Sequence, residues 1–308
     1  MQKDLKQNEV QKKGKLITRK RREWIWALLF IGPTVLGVYL FTIGPIFYAF
    51  YVSLTRWSGL TPPVFIGFDN YVRMFSDPFI LSEIRNTFIF VIAGVPLTIS
   101  ISLLIAIMLC VKIPALGFFR TTIFIPWVTL PIAAAMVFQN IFNVRFGMVN
   151  GFLRMMGIPV VDWLGNIPSV MGIIIGMGVW GSIGYYSVIL MVGIKNLPTS
   201  YFEAARIDGA TRRQTFFRIT IPLLTPQLFF VTTMAMIGSF GIFEPVLIFG
   251  GNVMIRDGIR TLAYGIFERG FEMQSLGYAA ANATLLFVLI MIVTIFQFIG
   301  QRYWVHYE

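Results

Sequence analysis

The residues best able to bind another molecule stand together in residues 203–226, which read EAARIDGATRRQTFFRITIPLLTP and lie between two long apolar runs. The glutamate and the arginines of this segment can form charge-assisted hydrogen bonds, and its alanines let another surface come close. These residues are Glu203, Ala204, Ala205, Arg212, Arg213 and Arg218. The pattern favours a docking surface or, as an alternative, a pair of amphipathic helices lying on lipid headgroups.

The local pattern of this segment predicts two short helices joined by a turn. Ser200 followed by Glu203 is typical of a capping box, so a helix is expected over about 200–207. Gly209 permits a backbone conformation that other residues resist. We therefore expect a sharp turn there, followed by a second helix over about 210–218.

The composition of the chain is typical of a membrane protein. Of 308 residues, 56% are hydrophobic and 13% charged, with a mean hydropathy of +0.75, which is too apolar for a soluble domain. A helix that crosses the hydrocarbon core needs about 20 residues, and backbone groups in lipid must be satisfied within their own segment. We predict an all-α membrane protein with six transmembrane helices, at about 24–50, 86–110, 120–141, 170–194, 223–249 and 276–300.

The basic residues predict the orientation, because short cytoplasmic segments keep an excess of Lys and Arg. One set of segments carries most of them: nine before the first span, then Lys112, Arg120, Lys195, Arg206, Arg212, Arg213, Arg218 and Arg302. The opposite segments, which we take to include Glu83 and Arg85, hold similar numbers of acids and bases. Both termini are predicted to be cytoplasmic. The formal charge of +11 then reflects orientation and headgroup attraction rather than nucleic-acid binding.

The organisation is predicted to be simple: a basic cytoplasmic segment at 1–22 and one transmembrane domain at 23–308. Cys110 and His306 are the only residues of their types. They predict neither a disulfide nor a metal or catalytic site.

Several prolines and glycines lie inside the predicted spans. Prolines at 33, 45, 96, 126 and 131 are expected to bend helices and to free carbonyl groups. Four glycines of the fourth span predict a face on which another helix packs closely; they are Gly172, Gly176, Gly178 and Gly181.

The charged segment resembles the EAA motif of ATP-binding-cassette importer permeases. The matching residues are Glu203-Ala204-Ala205, Asp208-Gly209-Ala210 and Ile219-Thr220-Ile221-Pro222, with Ile221 at the usual leucine position. LPTSYFEAARIDGA, GFDNYVRMFSDP, FGMVNGFLRMMGIPVVDWLG and LGYAAANATLLF narrow the resemblance to the carbohydrate-uptake subfamily of maltose, glycerol-phosphate and oligosaccharide permeases. The likeness spans nearly the whole chain.

The resemblance implies a type I importer permease fold in the cell membrane, with the coupling loop at 195–222. Glu203, Ala204, Ala205, Asp208, Gly209 and Ala210 would dock the ATPase subunits. Expected partners are a second related permease, two ATP-binding subunits and an extracytoplasmic substrate-binding protein, besides membrane lipid. The chain has no G-x-x-x-x-G-K-[ST] loop. It is therefore expected to be no enzyme and to hold no cofactor, with ATP and Mg²⁺ bound by the partner subunits.

The expected cargo is a sugar or an oligosaccharide. Glu244 lies inside the fifth span, where an ionised carboxylate costs about 2.5–3.5 kcal/mol, so it should face a cavity or a partner. Its position also resembles the acid or amide that follows the GSF-x-x-F run in this subfamily. Carboxylates and amides can bind sugar hydroxyls, and aromatic faces can cover the ring. The candidate pathway residues are Glu244, Ser239, Phe240, Phe243, Asn282, Tyr185 and Tyr186, with Trp180 nearby.

Three alternatives stay open. The same architecture could carry a non-sugar solute such as an amino acid, phosphate or polyamine. An ion-coupled secondary transporter would need intramembrane ionisable pairs, for which Glu244 alone offers little. Nothing in the sequence favours the third, a scaffold or sensor subunit without transport. The role of the charged residues within 252–272 is also open, because they could hold the binding protein or pack on the partner permease.

Overall fold

The computed structural model describes residues 22–111 and 115–306. The predicted segment 1–22 therefore lies outside the described residues except for Arg22. The chain divides into two units, 1–52 and 53–308.

The first unit contains helix α1 (Arg22–Ser53) except for its last residue, Ser53, which belongs to the second unit. The helix widens into a π-helical segment at Tyr39–Ile43, closed by a hydrogen bond from the Gly44 N–H to the Tyr39 carbonyl. Pro45 follows directly. Proline has no N–H and clashes with the preceding turn, so the π segment accommodates the proline without ending the helix.

The second unit is helical apart from one small antiparallel pair, β1 (Thr55–Arg56) and β2 (Val64–Phe65). In chain order, its helices begin with α2 (Asp69–Ser76), α3 (Ile80–Cys110), α4 (Leu116–Val128), α5 (Pro131–Ile141), α6 (Met148–Met155) and α7 (Ile167–Lys195). They continue with α8 (Thr199–Ile207), α9 (Arg212–Thr215), α10 (Ile221–Leu223), α11 (Thr225–Phe240), α12 (Glu244–Phe249), α13 (Val253–Ile259), α14 (Leu262–Phe267) and α15 (Leu276–Gln301). Two further π segments lie at Phe216–Thr220 and Glu268–Glu272.

Among the described residues, five helices are long and apolar enough to cross a membrane, or six if one bent pair counts as a single span. The five are α1, α3, α7, α15 and the stretch Thr225–Phe249 that joins α11 to α12. They confirm the long apolar helices predicted at these positions. α3 begins at Ile80, before the predicted start at 86. Glu83 and Arg85 are therefore helical, which corrects their placement in the preceding loop.

The predicted third span, 120–141, is broken. α4 and α5 meet at an angle of 99° across Thr129 and Leu130. Pro131 is the first residue of α5, and Leu130 before it has an extended backbone with ψ 126°. A residue that precedes proline avoids the helical region, so the helix ends and starts again in a new direction.

The core forms around α3, which packs most extensively against α7. One cluster includes Phe90, Ile174 and Tyr264, and a second includes Val95, Leu190 and Val231. These side chains come from helices far apart in the chain, so the core joins α3, α7 and α11 into one bundle.

The four glycines predicted as a packing face of α7 do not serve that purpose within the described part of the chain, since a Cβ at any of them would meet no heavy atom there within 4 Å. The close approach lies instead at Gly184, where a Cβ would collide with the carbonyl oxygen of Ile123 in α4. Gly178 and Gly181 line a cavity. The spacing of small residues predicted close packing on this helix, and the tertiary contacts place it at another glycine.

Gly184→Ala should therefore separate α4 from α7, because the colliding atoms are backbone atoms that cannot rotate away. We expect the yield of folded chain after detergent extraction to fall several-fold, consistent with the about 1–3 kcal/mol that overpacking costs. Gly176→Ala on the same helix is the matched control, because its Cβ would enter open space. Equal yields of monodisperse protein for the two variants would contradict the close approach.

Candidate functional site

The EAA segment forms the predicted helix–turn–helix. α8 ends in a turn at Gly209, which has φ +74°. The N–H of Gly209 donates to the Arg206 carbonyl at 3.2 Å, and the N–H of Ala210 donates to the Ala205 carbonyl at 2.9 Å. These two bonds form a Schellman motif, which satisfies the last carbonyls of a helix and needs a left-handed residue at this position.

The predicted capping box at Ser200 and Glu203 is wrong. α8 starts one residue earlier than expected, at Thr199, after Pro198 in an extended conformation, and no side chain caps it. A capping box is present on the next helix, where the Gln214 N–H donates to Thr211 Oγ1 at 3.3 Å and the Thr211 N–H donates to Gln214 Oε1 at 2.8 Å. Pro198 already presets the first turn of α8, so Ser200 lies inside the helix.

The exposed face of this motif carries most of the predicted docking residues. Glu203, Ala204, Asp208 and Gly209 are exposed. Ala205 is 6% exposed, and Ala210 is half-buried. The motif therefore presents an acid, a tight turn and small side chains to its surroundings.

The motif is joined to the spans at the start of α11. Thr225 Oγ1 donates to the Pro222 carbonyl at 2.6 Å and accepts the N–H of His306 at 2.9 Å. Trp304 packs edge-on against Phe229, with ring centroids 6.1 Å apart. The turn after α15 thus holds the first turns of α11, directly beyond the charged segment.

A cavity of about 590 Å³ lies among α3, α4, α5, α7, α11 and α12. Its wall is mainly apolar, with a few polar groups, as is typical of small-molecule sites. The polar or aromatic lining residues are Phe90, Thr98, Trp127, Thr129, Trp180, Ser182, Tyr185, Tyr186, Ser239 and Glu244. Ser182 and Ser239 each donate to a carbonyl of their own helix, at 2.6 and 2.8 Å. Their oxygens can still accept hydrogen bonds from a ligand.

Four of the seven predicted pathway residues meet at this cavity: Ser239, Tyr185, Tyr186 and Glu244. The other three do not line it. Phe240 is buried edge-on against Phe88, and Phe243 packs on Phe267 with centroids 4.9 Å apart. Asn282 is fully buried in α15. The sequence therefore predicts about half of this site.

Glu244 reaches the cavity because the fifth span is interrupted. α11 ends at Phe240, residues 241–243 are not helical, and Glu244 is the first residue of α12. No ion pair joins Glu244 to another described residue. The break thus places a carboxylate at the wall of a largely apolar cavity.

Trp127 is the main lining residue that sequence reasoning missed. Its ring stacks on Tyr185, with centroids 4.3 Å apart and an interplanar angle of 8°. It is 43% exposed. The sequence holds one signal for it, because Trp127 stands between Pro126 and Pro131, where the span must break. The stack forms an aromatic platform on the cavity wall.

The charged loop left open by the sequence turns inward to α3. Glu83 is fully buried and pairs with two arginines, at 3.1 Å from Arg260 Nε and 2.9 Å from Arg269 Nη1. Arg260 also pairs with Glu268, and Arg269 with Asp77 at 3.0 Å. We call these five residues the charge network. They are structural within this chain, whereas Glu272 is exposed.

The charge network stabilises the ionised forms of Asp77, Arg260 and Arg269, which lie outside the spans. Burial acts to raise the pKa of Asp77, but hydrogen bonds from the Phe79 N–H and the Tyr278 hydroxyl, with the charge of Arg269, hold this pKa below its usual value. Burial acts to lower the pKa of Arg260 and of Arg269, and the adjacent carboxylates outweigh it and raise both. These three side chains are therefore charged at neutral pH.

Comparison with known proteins agrees with this architecture. Residues 72–303 match the family model described as "Binding-protein-dependent transport system inner membrane component". The chain is 35% identical to "Probable ABC transporter permease protein YesP" of Bacillus subtilis (strain 168), covering 94% of each chain. It is 29% identical to "Arabinooligosaccharides transport system permease protein AraP" of Halalkalibacterium halodurans, covering 94% of this chain and 92% of that one.

A solved structure shares the fold. A chain of the bacterial alginate ABC transporter, in complex with alginate pentasaccharide-bound periplasmic protein, superposes with a TM-score of 0.80 at 19% identity, covering 92% of this chain and 95% of that one. The resemblance drawn from the EAA motif is confirmed by the family match, which includes the motif and the cavity. This chain belongs to the family of inner membrane components of binding-protein-dependent transport systems.

Proposed function

We propose that this chain is the permease subunit of an ATP-driven importer of sugars or oligosaccharides and forms half of the translocation pathway. The observation that carries the proposal is the family match over residues 72–303. That range contains an open cavity and an exposed helix–turn–helix, the two parts that a transport subunit needs for its cargo and its motor.

The motor would dock on the EAA segment. Glu203 and Asp208 offer charge, and the small residues at 204 and 209 allow close approach of a partner surface. ATP would be hydrolysed by two partner ATPases, since this chain carries no phosphate-binding loop. A second permease and an extracytoplasmic binding protein would complete the assembly. The helix bundle would then switch between two states that the ATPases and the binding protein favour unequally.

We further propose six spans in the cell membrane with both termini cytoplasmic. The bent pair α4–α5 would count as the third span, and the break at Thr129 and Leu130 would lie where it borders the cavity, since non-helical backbone in a membrane is tolerated next to a cavity. The basic residues of 1–22 and of the EAA segment support this orientation. Residues 23–308 would form the permease domain.

The cavity suits a sugar. The stacked Trp127 and Tyr185 can cover the apolar face of a sugar ring, and Glu244 can accept hydrogen bonds from hydroxyl groups. The relative AraP is named for arabino-oligosaccharides, and the alginate transporter was solved with an alginate-bound binding protein. Both names support a carbohydrate cargo.

Glu244→Gln should weaken uptake while the transporter still assembles. The amide keeps the size of the side chain but removes the charge, and hydrogen bonds to a charged group contribute about 1.5–3 kcal/mol. We expect the concentration for half-maximal uptake to rise at least about tenfold. Glu272→Gln, which makes the same change at an exposed site, is the control. Unchanged uptake by Glu244→Gln would remove Glu244 from the pathway.

The proposed function is tested by extracting the tagged chain from its native membrane in mild detergent and identifying the proteins that accompany it by mass spectrometry. An ATPase and a second permease should be recovered, and the assembly placed in liposomes should take up labelled arabino-oligosaccharide only when ATP is supplied. Recovery of the chain alone, under conditions that preserve other complexes, would favour a self-sufficient transporter.

A further inference from the structure

A side chain that lies beyond the fifth span forms a hydrogen bond to the backbone at the break in that span. An interrupted membrane helix frees carbonyl groups that need donors from elsewhere. The hydroxyl of Thr261 donates to the carbonyl of Ile242, in the middle of the break, at 2.6 Å. Thr261 is fully buried. Its Oγ1 also accepts the N–H of Tyr264 at 3.2 Å, which caps α14 and fixes the rotamer.

The backbone around Thr261 is attached to α3 on both sides. Before it, Asn86 Nδ2 donates to the carbonyls of Gly258 and Arg260, each at 2.9 Å. After it, the N–H of Leu262 donates to Thr87 Oγ1 at 3.1 Å. The side chain of Arg260 adds the ion pair with Glu83 described above. The donor of Thr261 therefore has a fixed position relative to α3.

The acceptor lies beside the cavity. Ile242 lines it, and so does Glu244, which follows the held carbonyl by two residues and begins α12. Phe243 between them has φ −134° and ψ −58°, outside the helical region. The direction in which Glu244 leaves the break therefore depends on the conformation held at Ile242.

We propose that Thr261 is a positioning residue for Glu244: its hydroxyl fixes the break in the fifth span and thereby sets where the carboxylate enters the cavity. The effect of Thr261 on transport rests on the proposed function, because it requires the cavity to be the path of the cargo. The geometric part does not, since it concerns only the position of residue 244. Thr261 itself does not line the cavity.

The test measures the position of residue 244 directly. Cys110, the only cysteine, is replaced by serine, and Glu244→Cys is labelled with a water-soluble maleimide in the purified transporter. Thr261→Val keeps the shape of the side chain without the hydroxyl, and Thr261→Ser keeps the hydroxyl. We expect the labelling rate at 244 to change about two- to tenfold with Thr261→Val, the population shift that loss of one hydrogen bond brings. It should return towards the original rate with Thr261→Ser.

Ser182→Cys is the matched control, because it lines the same cavity on α7. Its labelling rate should not change with Thr261→Val. Equal labelling at 244 in all three backgrounds would overturn the proposal, and so would a parallel change at 244 and 182, which would indicate a general loosening of the fold. If Thr261→Val fails to reach the membrane, Thr261→Ala is measured in its place.

Uptake separates this proposal from the proposed function. With arabino-oligosaccharide as the probe, Thr261→Val should raise the concentration for half-maximal uptake in a Glu244 background and have a smaller effect in a Glu244→Gln background, since residues that act together are not additive. Fully additive effects would overturn the positioning role. Absence of uptake by the unaltered transporter would count against the proposed function alone and would leave the labelling result valid.

Discussion

Glu203→Lys should abolish ATP-driven uptake while the chain remains folded in its membrane. Glu203 is exposed on α8, and no ion pair or side-chain hydrogen bond joins it to another residue in the described part of the chain. Reversing its charge therefore costs the fold little. At a docking surface, however, loss of a buried charge pair costs about 2–5 kcal/mol, which is at least about 30-fold in affinity.

The measurement is uptake in cells, normalised to the amount of chain found in the membrane by immunoblot, together with recovery of the ATPase on a tag. The control is Glu272→Lys, which makes the same reversal at an exposed residue outside the EAA segment. Glu203→Lys should lose both uptake and ATPase recovery, and Glu272→Lys should retain the ATPase. Normal uptake by Glu203→Lys would remove the coupling role from this segment.

Glu83→Gln should destabilise the chain clearly more than Glu272→Gln, which removes the charge of an exposed residue. Glu83 pairs with both Arg260 and Arg269 and is fully buried. Removing one partner of a buried ion pair typically costs about 3–5 kcal/mol when the other charge is left uncompensated, which sets the upper limit of the expected cost here. Arg260 and Arg269 keep Glu268 and Asp77, so the variant network is neutral, but each arginine loses the fully buried carboxylate that the two share.

The effect is read by heating the detergent-solubilised chain and measuring the fraction that stays monodisperse by size-exclusion chromatography. The temperature of half-loss should fall clearly for Glu83→Gln and stay close to that of the unaltered chain for Glu272→Gln. Glu83→Asp, which keeps the charge on a shorter side chain, should fall between them. Equal midpoints for the two glutamine variants would show that the charge network contributes nothing to stability.

Two local features of the site follow directly from the sequence. The turn at Gly209 was predicted because a glycine after Asp208 ends a helix in the left-handed conformation, and its φ of +74° agrees. Glu244 is expected to face a cavity or a partner because a carboxylate in an apolar span is costly, and it lines a cavity. In both cases a single residue type carries the physical reason, so no distant contact is needed.

The capping box shows where local reasoning fails. Ser200 and Glu203 have the right spacing, yet Pro198 starts α8 early and the box forms at Thr211. The third span fails in a related way, because hydropathy predicts a continuous run, and Pro131 breaks it by 99°. A pattern of residue types indicates which local structures a segment can form, and neighbouring residues such as Pro198 and Pro131 determine which of them is formed.

The class of the protein, the approximate positions of its apolar helices and the EAA turn can be predicted from the residues alone, because hydropathy, proline and glycine act over a few residues. Which charged groups pair and which rings stack depends on how the helices pack. Glu83 binds Arg269 across 186 positions, and Trp127 stacks on Tyr185 from another helix. Such pairs depend on the order and tilt of packed helices, and no local period in the chain encodes them.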